Sequence, residues 1–251
     1  MATSDDDRRG GSDEVLRMLW QPSARPTRGP KPKLTLEQLV DAAIELADEV
    51  GLEAMSMRAV ARALDVGAMS LYRYVPSKET LVELMFDTVL RRQPRAHELP
   101  GGWREQLEAT ARIDLAFYMR HPWVLEISGA RPPLGPGTFD VYESVLRVVA
   151  DTGLTKAELS PAVSSLAAFV RGAAHGELMK ARAVRESGIS DEEWWGARDD
   201  FWQHHFDPER YPTITAIYTA GGYENAPDEF EFGLQRLLDG LAVLIDRRAG
   251  G

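Results

Sequence analysis

The sequence contains no cysteine. Disulfide stapling, thiolate catalysis and cysteine-ligated zinc are therefore excluded. No run approaches the roughly 18 to 20 consecutive apolar residues that a membrane span needs, so no membrane partner is expected. The opening residues, with Asp5, Asp6 and Asp7, lack the basic-then-apolar order of a secretory signal. Strand signals are missing too: there is no alternating run, no hairpin signal and no internal repeat. Nucleophile-elbow, Gly-rich phosphate-loop and HExxH patterns are all missing. Catalysis would have to rest on scattered carboxylates and histidines, so an enzyme is not expected, nor is a cofactor or a metal. His204 and His205, near Asp207, are adjacent and so point to different faces of a helix. What remains is an ordinary balance, 44% hydrophobic and 27% charged over 251 residues, ample for a small domain plus a larger one. The expectation is an all-α protein of the cytoplasm.

Charge of one sign is scarce only locally. The chain carries −10 overall, yet residues 25–78 hold eight basic against seven acidic residues. The acidic excess lies mostly in residues 79–251, with 18 basic against 27 acidic. Phosphate contact needs only a local basic face, so the total charge does not argue against nucleic acid.

Residues 1–33 read as an arm, because Pro22, Pro26, Pro30 and Pro32 forbid a continuous helix. The Val15–Trp20 run is read as an incidental apolar patch in that tail rather than as one amphipathic turn. Arg25, Arg28, Lys31 and Lys33 follow in an extended setting. They suit either phosphate or minor-groove contact or a solubilising tail. From Thr35 the period becomes helical, with Leu36, Leu39, Val40, Ala43, Leu46, Ala47 and Val50 on one face. Thr35 with Gln38 fits a capping box, and Gly51 a C-terminal stop. Ser56 caps a short helix to Leu64, Asp65-Val66-Gly67 makes a turn, and a second short helix spans Ala68–Val75. A longer helix runs from Ser77 to about Arg91. Further helices are expected near 102–120, 123–130, 138–152, 156–186, 190–206 and 228–247, with capping boxes at Thr155/Glu158 and Ser190/Glu193.

Within Ala68–Val75 the helical period puts Leu71 and Val75 on one side, with Ala68 close by. Met69 and Arg73 point the opposite way, flanked by Ser70, Tyr72 and Tyr74. Val60, Leu64 and Val66 supply apolar partners for the inner side. The outer face thus offers a guanidinium, a hydroxyl, two phenols and a thioether, groups able to contact base edges, phosphates or a thymine methyl.

The run from Leu34 to Leu90, above all MRAVARALDVGAMSLYRYV followed by SKETLVELM, closely resembles the DNA-binding domain of TetR-family regulators. The resemblance implies that Ser56–Leu64 positions and Ala68–Val75 reads the major groove. Ala68, Met69, Ser70, Tyr72, Arg73 and Tyr74 would then face DNA, with Arg58 and Lys78 on bases or backbone. Asp65 departs from the glycine common in such turns, though aspartate tolerates the left-handed region better than most residues. MRHPWVLEISGARPPLGPG (119–137), AFVRGAAHGEL and FEFGLQRLLDGL are similar, more loosely, to the tetracycline-repressor-like C-terminal domain. That likeness implies an effector pocket, with Arg131 and Pro132 at its mouth and Glu177 at an acidic pocket position. Asp114, Tyr118, His121, Trp123, Ile127, His175 and Met179 are further candidates by location. Small residues at Gly172, Ala173, Ala174 and Gly176, and the apolar face Phe230, Leu234, Leu237, Leu238, Leu241, Leu244 and Ile245, suggest two helices that pair with their copies. The aromatic stretch 190–223 is read as padding of the core in preference to a lid over a flat ligand.

The expected organisation is an arm (1–33), a three-helix helix-turn-helix domain (34–90) and a larger helical effector-binding and dimerisation domain (101–248). The expected function is a homodimeric, sequence-specific repressor on double-stranded operator DNA, released by a small-molecule effector. The alternatives are a ligand-independent regulator with a vestigial pocket, or a helical enzyme.

Overall fold

The computed structural model describes residues 14–21, 34–127 and 132–249. Arg131 and the basic positions Arg25, Arg28, Lys31 and Lys33 lie outside the described residues. Among the described residues there is no strand, and the chain forms two compact units, Met1–Val163 and Ser164–Gly251. The division falls inside a helix rather than near residues 91–101.

The first unit begins with a short helix over 14–20, α1. Its Val15 and Leu19 are buried in the same apolar cluster as Leu81, Met85 and Phe86. The reading of this run as an incidental patch is therefore corrected: it is an amphipathic turn with a docking surface. Helix α2 (Leu36–Ala54) starts on the expected capping box, with Thr35 Oγ1 accepting from Gln38 N at 3.1 Å and Gln38 Oε1 accepting from Thr35 N at 2.9 Å. It buries Leu39, Val40, Ala43, Ile44 and Ala47, and breaks at Gly51, where φ is +80°. Val50, expected on the inner face, is exposed. Helices α3 (Met57–Ala63), α4 (Ala68–Leu71) and α5 (Lys78–Arg91) complete the trihelical-plus-one unit. Asp65 adopts φ +52°, the only non-glycine positive φ among the described residues. The departure from glycine is thus accommodated in the turn itself.

A short 3-10 turn (Ala96–Glu98) leads to α6 (Trp103–Arg120), α7 (Val124–Ile127) and α8 (Pro136–Val149). Helix α5 packs on both α2 and α8. The α5–α8 contact is close because Gly135 and Gly137 bring backbone against Asp87: an added Cβ would lie 2.3 Å from Asp87 Oδ1 at Gly135 and 2.6 Å from the Asp87 carbonyl oxygen at Gly137. Gly137 N donates to the buried Asp87 carboxylate at 2.6 Å. Burial raises the Asp87 pKa, while the Gly137 N–H and Arg91 oppose the rise and Asp140 adds to it. An aspartate among Leu84, Met85, Phe86 and Val89 is tolerated because a backbone donor meets it.

Helix α9 (Lys156–Ser187) runs into the second unit, which continues with α10 (Asp191–Gly196), α11 (Asp199–His204), α12 (Pro212–Thr219) and α13 (Glu229–Ala249). Within this unit Phe169 stacks on Phe230 at 5.5 Å, and Gly233 leaves room for the Phe169 ring, 2.6 Å from where a Cβ would sit. Leu234 and Leu238 are fully buried. The expected single helix over 190–206 is two, and α12 is an addition. Pro212 is the first residue of α12, where its missing N–H has no intrahelical role. Thr215 and Thr219 hydroxyls donate to carbonyls four residues back, at 3.0 and 2.8 Å, so both side chains are satisfied within the helix.

The 190–223 stretch is not core. Among the described side chains of 181–229 none is buried. Trp195, Trp202, Phe206 and Tyr211 instead form a ladder of ring contacts with centroids 5.2 to 5.9 Å apart, and Tyr218 is 70% exposed. His204 and His205 both face Asp200, at 3.1 and 3.8 Å. No group of three potential metal ligands occurs among the described residues, and none of their helices is long and apolar enough to cross a membrane.

Candidate nucleic-acid interface and effector region

The DNA-reading segment is built by a cap, a turn and two apolar anchors. Ser56 Oγ accepts from Ala59 N at 3.2 Å and starts α3, whose Val60 and Ala61 are buried. The small Ala61 permits the close approach of α4. Val66 N donates to Ala61 O at 3.0 Å, closing the turn, and Gly67 caps α4. Leu71 and Val75 are completely buried and hold the segment down. Regular α-helix ends at Leu71, earlier than the expected Val75. The chain still coils, with Tyr74 N and Val75 N both donating to Leu71 O, before Pro76 disfavours helix at the residue preceding it.

This leaves Met69 79% and Tyr72 46% exposed, with Arg73 exposed beside them. Arg58 is exposed on the first turn of α3, and Ser70 and Ala68 are half-buried, Ala68 against the core. Two of the expected DNA contacts also have hydrogen-bond partners within the chain. The Tyr74 hydroxyl donates to Leu34 O at 2.7 Å. Lys78 Nζ donates to Leu52 O at 2.6 Å, so its cation meets a carbonyl just past the Gly51 break rather than standing unopposed at the start of α5.

Within the first unit the effector candidates His121 and Ile127 border two different cavities. His121 is buried at the end of α6, its Nδ1 2.7 Å from Asp48 Oδ1. Trp123 Nε1 donates to the same oxygen at 2.7 Å. These two residues therefore tie the α6–α7 corner to α2. His121 also borders a cleft of about 430 Å³ between α2 and α6, lined by Asp41, Asp48, Arg92, Phe117 and Arg120. Ile127 borders a second cavity, of about 550 Å³, with Leu16, Val82, Glu83, Pro132 and Leu134. Asp114 and Tyr118 are half-buried on α6, and burial pushes the Asp114 carboxyl up to about 7. On α9, His175 is exposed, Met179 is exposed, and Glu177 pairs with Lys180 at 3.0 Å. Asp48 and Asp87 were missed from sequence. A carboxylate inside the buried face of α5, with the close glycine pair Gly135/Gly137, was the available signal for Asp87.

A profile described as bacterial regulatory proteins, tetR family, matches residues 39–85, and one described as tetracyclin repressor-like, C-terminal domain, matches 96–245. The chain belongs to the TetR family. This TetR-family chain is 44% identical over 242 residues to the HTH-type transcriptional repressor DrrR1 of Streptomyces coeruleorubidus, covering 96% of this chain and 89% of that protein. It is 25% identical to the tetracycline repressor protein class E of Escherichia coli, covering 86% and 94%. Among solved structures, apo ActR of Streptomyces coelicolor superposes with a TM-score of 0.69 at 25% identity, covering 87% of this chain and 99% of that one. ActR in complex with actinorhodin gives 0.66, also at 25% identity, covering 86% and 99%. The chain is a DNA-binding transcriptional regulator of helix-turn-helix type.

Proposed function

We propose that the protein is a homodimeric repressor that places α4 of each protomer in successive major grooves of a two-fold operator and leaves when a small organic effector binds. The observation that carries the reading is the one-sided burial of α4. Leu71 and Val75 are anchored at 0% exposure while Met69, Tyr72 and Arg73 project together into solvent. So short a helix gains little from exposing large side chains unless a partner receives them. Arg73 and Tyr72 are assigned to base edges or phosphates, Met69 to an apolar base edge, Arg58 to the backbone, and Ser70 and Ala68 to close approach. Residues 34–90 are the reading domain and 101–248 the effector-binding and dimerisation domain. As a regulator of genes it acts on the chromosome, in the cytoplasm.

A single reading helix covers few base pairs, so specificity requires two half-sites about one helical turn apart. The outer stripes of α9 and α13 suit the pairing of copies. Phe232 and Val243 are about half exposed, and a Cβ at Gly172, Gly176 or Gly240 would meet nothing. This stripe differs from the face expected from sequence, since Leu234, Leu238 and Ile245 are consumed within the chain. Effector response is supported by the relative solved with actinorhodin. Asp114, a carboxyl poised by burial near neutrality, is the assigned polar contact, with Tyr118 beside it. Coupling requires that the effector prefer a conformation whose two reading helices are misplaced. Helix α5 joins α4 to the rest and is the lever.

The test is fluorescence-anisotropy binding to DNA upstream of the protein's own gene, at two salt concentrations, with the double variant Tyr72→Ala/Arg73→Ala beside the native chain. Saturable, sequence-selective binding that weakens with salt is expected for the native chain only, with both proteins dimeric. Undiminished selective binding by the variant refutes the assignment of α4.

A further inference from the structure

Helix α1 lies outside both family profiles, which match 39–85 and 96–245, yet it is the element best placed to control α5. Among the described residues, helix α5 meets α8 most closely at Asp87. There the carboxylate accepts from Gly137 N at 2.6 Å, and Gly135 and Gly137 press against it. Lys78, at the end that carries α4, lies about two and a half helical turns, or about 13 Å, from that attachment. The space beside this far half is not filled by α8: a cavity of about 550 Å³ opens between Lys78, Glu79, Val82 and Glu83 on one side and Ile127, Pro132, Pro133 and Leu134 on the other. On this side the N-terminal half of α5 borders an open groove and has no α8 packing to hold it.

Helix α1 bridges that gap. Val15 and Leu19 are 6% exposed and belong to the cluster that holds Leu81, Met85 and Phe86. Leu16 lines the cavity itself. At its C-terminal end the Trp20 indole N–H donates to Leu134 O at 2.8 Å, and its ring lies 6.0 Å from that of Phe139 on α8. The same seven-residue segment therefore grips the helix-turn-helix core and the corner at 134–139, on either side of the groove.

We propose that α1 is a brace that positions the DNA-reading helix: it fixes the tilt of the N-terminal half of α5 about Asp87, with Leu19 and Trp20 as positioning residues. Through Val75-Pro76-Ser77 that tilt sets where α4 sits. Contact with DNA by α1 is not required. The inference rests on the reading of α5 as the lever between α4 and the effector domain.

The test uses the full chain with Leu19→Asp, Trp20→Ala and Trp20→Phe, and a duplex that the native protein selects from a random pool. Amide exchange over 78–83 is measured alongside affinity for the selected duplex and for an unrelated one. Leu19→Asp and Trp20→Ala are expected to weaken selective binding about tenfold. Binding to the unrelated duplex stays unchanged, because every phosphate-contacting group remains. Exchange over 78–83 rises in both, and Trp20→Phe, which keeps a ring against Phe139 but loses the N–H, falls between. If Leu19→Asp does not fold, Trp20→Ala decides alone, since Trp20 is 53% exposed and its loss leaves no core cavity. Unchanged or tighter selective binding, or unchanged exchange over 78–83, overturns the brace. Should the native protein select no duplex, the regulator reading has failed, and the exchange over 78–83 still judges whether α1 restrains α5.

Discussion

Replacing Gly137 by alanine attacks the attachment between α5 and α8 at its tightest point. The new Cβ would lie 2.6 Å from the Asp87 carbonyl oxygen, 3.0 Å from its Oδ1 and 3.1 Å from Arg91 Cγ. The last two can rotate away, but the carbonyl oxygen is fixed in the helix, so α8 must back off by several tenths of an ångström. Overpacking of this kind destabilises by about 1 to 3 kcal/mol. Backing off also stretches the 2.6 Å bond from Gly137 N to Asp87, whose side chain is nearly closed to solvent. A hydrogen bond to a charged group contributes about 1.5 to 3 kcal/mol, and part of it is lost. Together the expected loss is about 2 to 5 kcal/mol, a large share of the roughly 5 to 15 kcal/mol that holds a domain folded. Urea unfolding followed by circular dichroism, at one fixed protein concentration so that any self-association contributes equally, reads it as a lower midpoint with unchanged slope. Weakening the N–H donor also lets burial raise the Asp87 pKa further, so the variant should lose more stability at pH 8 than at pH 5. A loss below about 1 kcal/mol would refute the close-contact reasoning.

Asp48→Ala strands two buried donors, His121 Nδ1–H and Trp123 Nε1–H, and should destabilise by about 2 to 4 kcal/mol, with Asp48→Asn between; a neutral Asp48→Ala in the same urea assay would sink the network. Asp114, raised to about 7 by burial, makes the native state hold a proton that the unfolded chain has released, so stability falls as pH climbs from about 4 to about 7. Asp114→Asn removes that slope and should be more stable than the native chain at pH 8 by about 2 to 4 kcal/mol; parallel pH–stability curves would contradict it. Val243→Asp places a charge on the exposed stripe of α13 and is expected to halve the mass seen by light scattering without unfolding the protomer. A dimer of native affinity would remove α13 from the interface.

Much of the fold was legible because local signals agreed. The Thr35/Gln38 and Ser190/Glu193 boxes form as written, Gly51 breaks α2, and the turn at Asp65 survives. The reading segment was legible for the same reason: Leu71 and Val75 against Met69 and Arg73 is a matter of period alone. What the sequence did not show were partners far away along the chain. Leu52 claims Lys78, Leu34 claims Tyr74 and Asp48 claims His121, across 26, 40 and 73 residues.

By itself, then, the sequence determined an all-helical chain with a helix-turn-helix near its start, since hydrophobic period, caps and breakers act within a few residues. Tertiary structure decided which polar groups remain free for a partner, because a side chain's availability depends on every distant group that can satisfy it. It also decided that Val15 and Leu19 dock while Trp195 and Trp202 do not. Both runs are apolar on paper, and only packing shows that the first meets a complementary surface while no described side chain of 181–229 is buried.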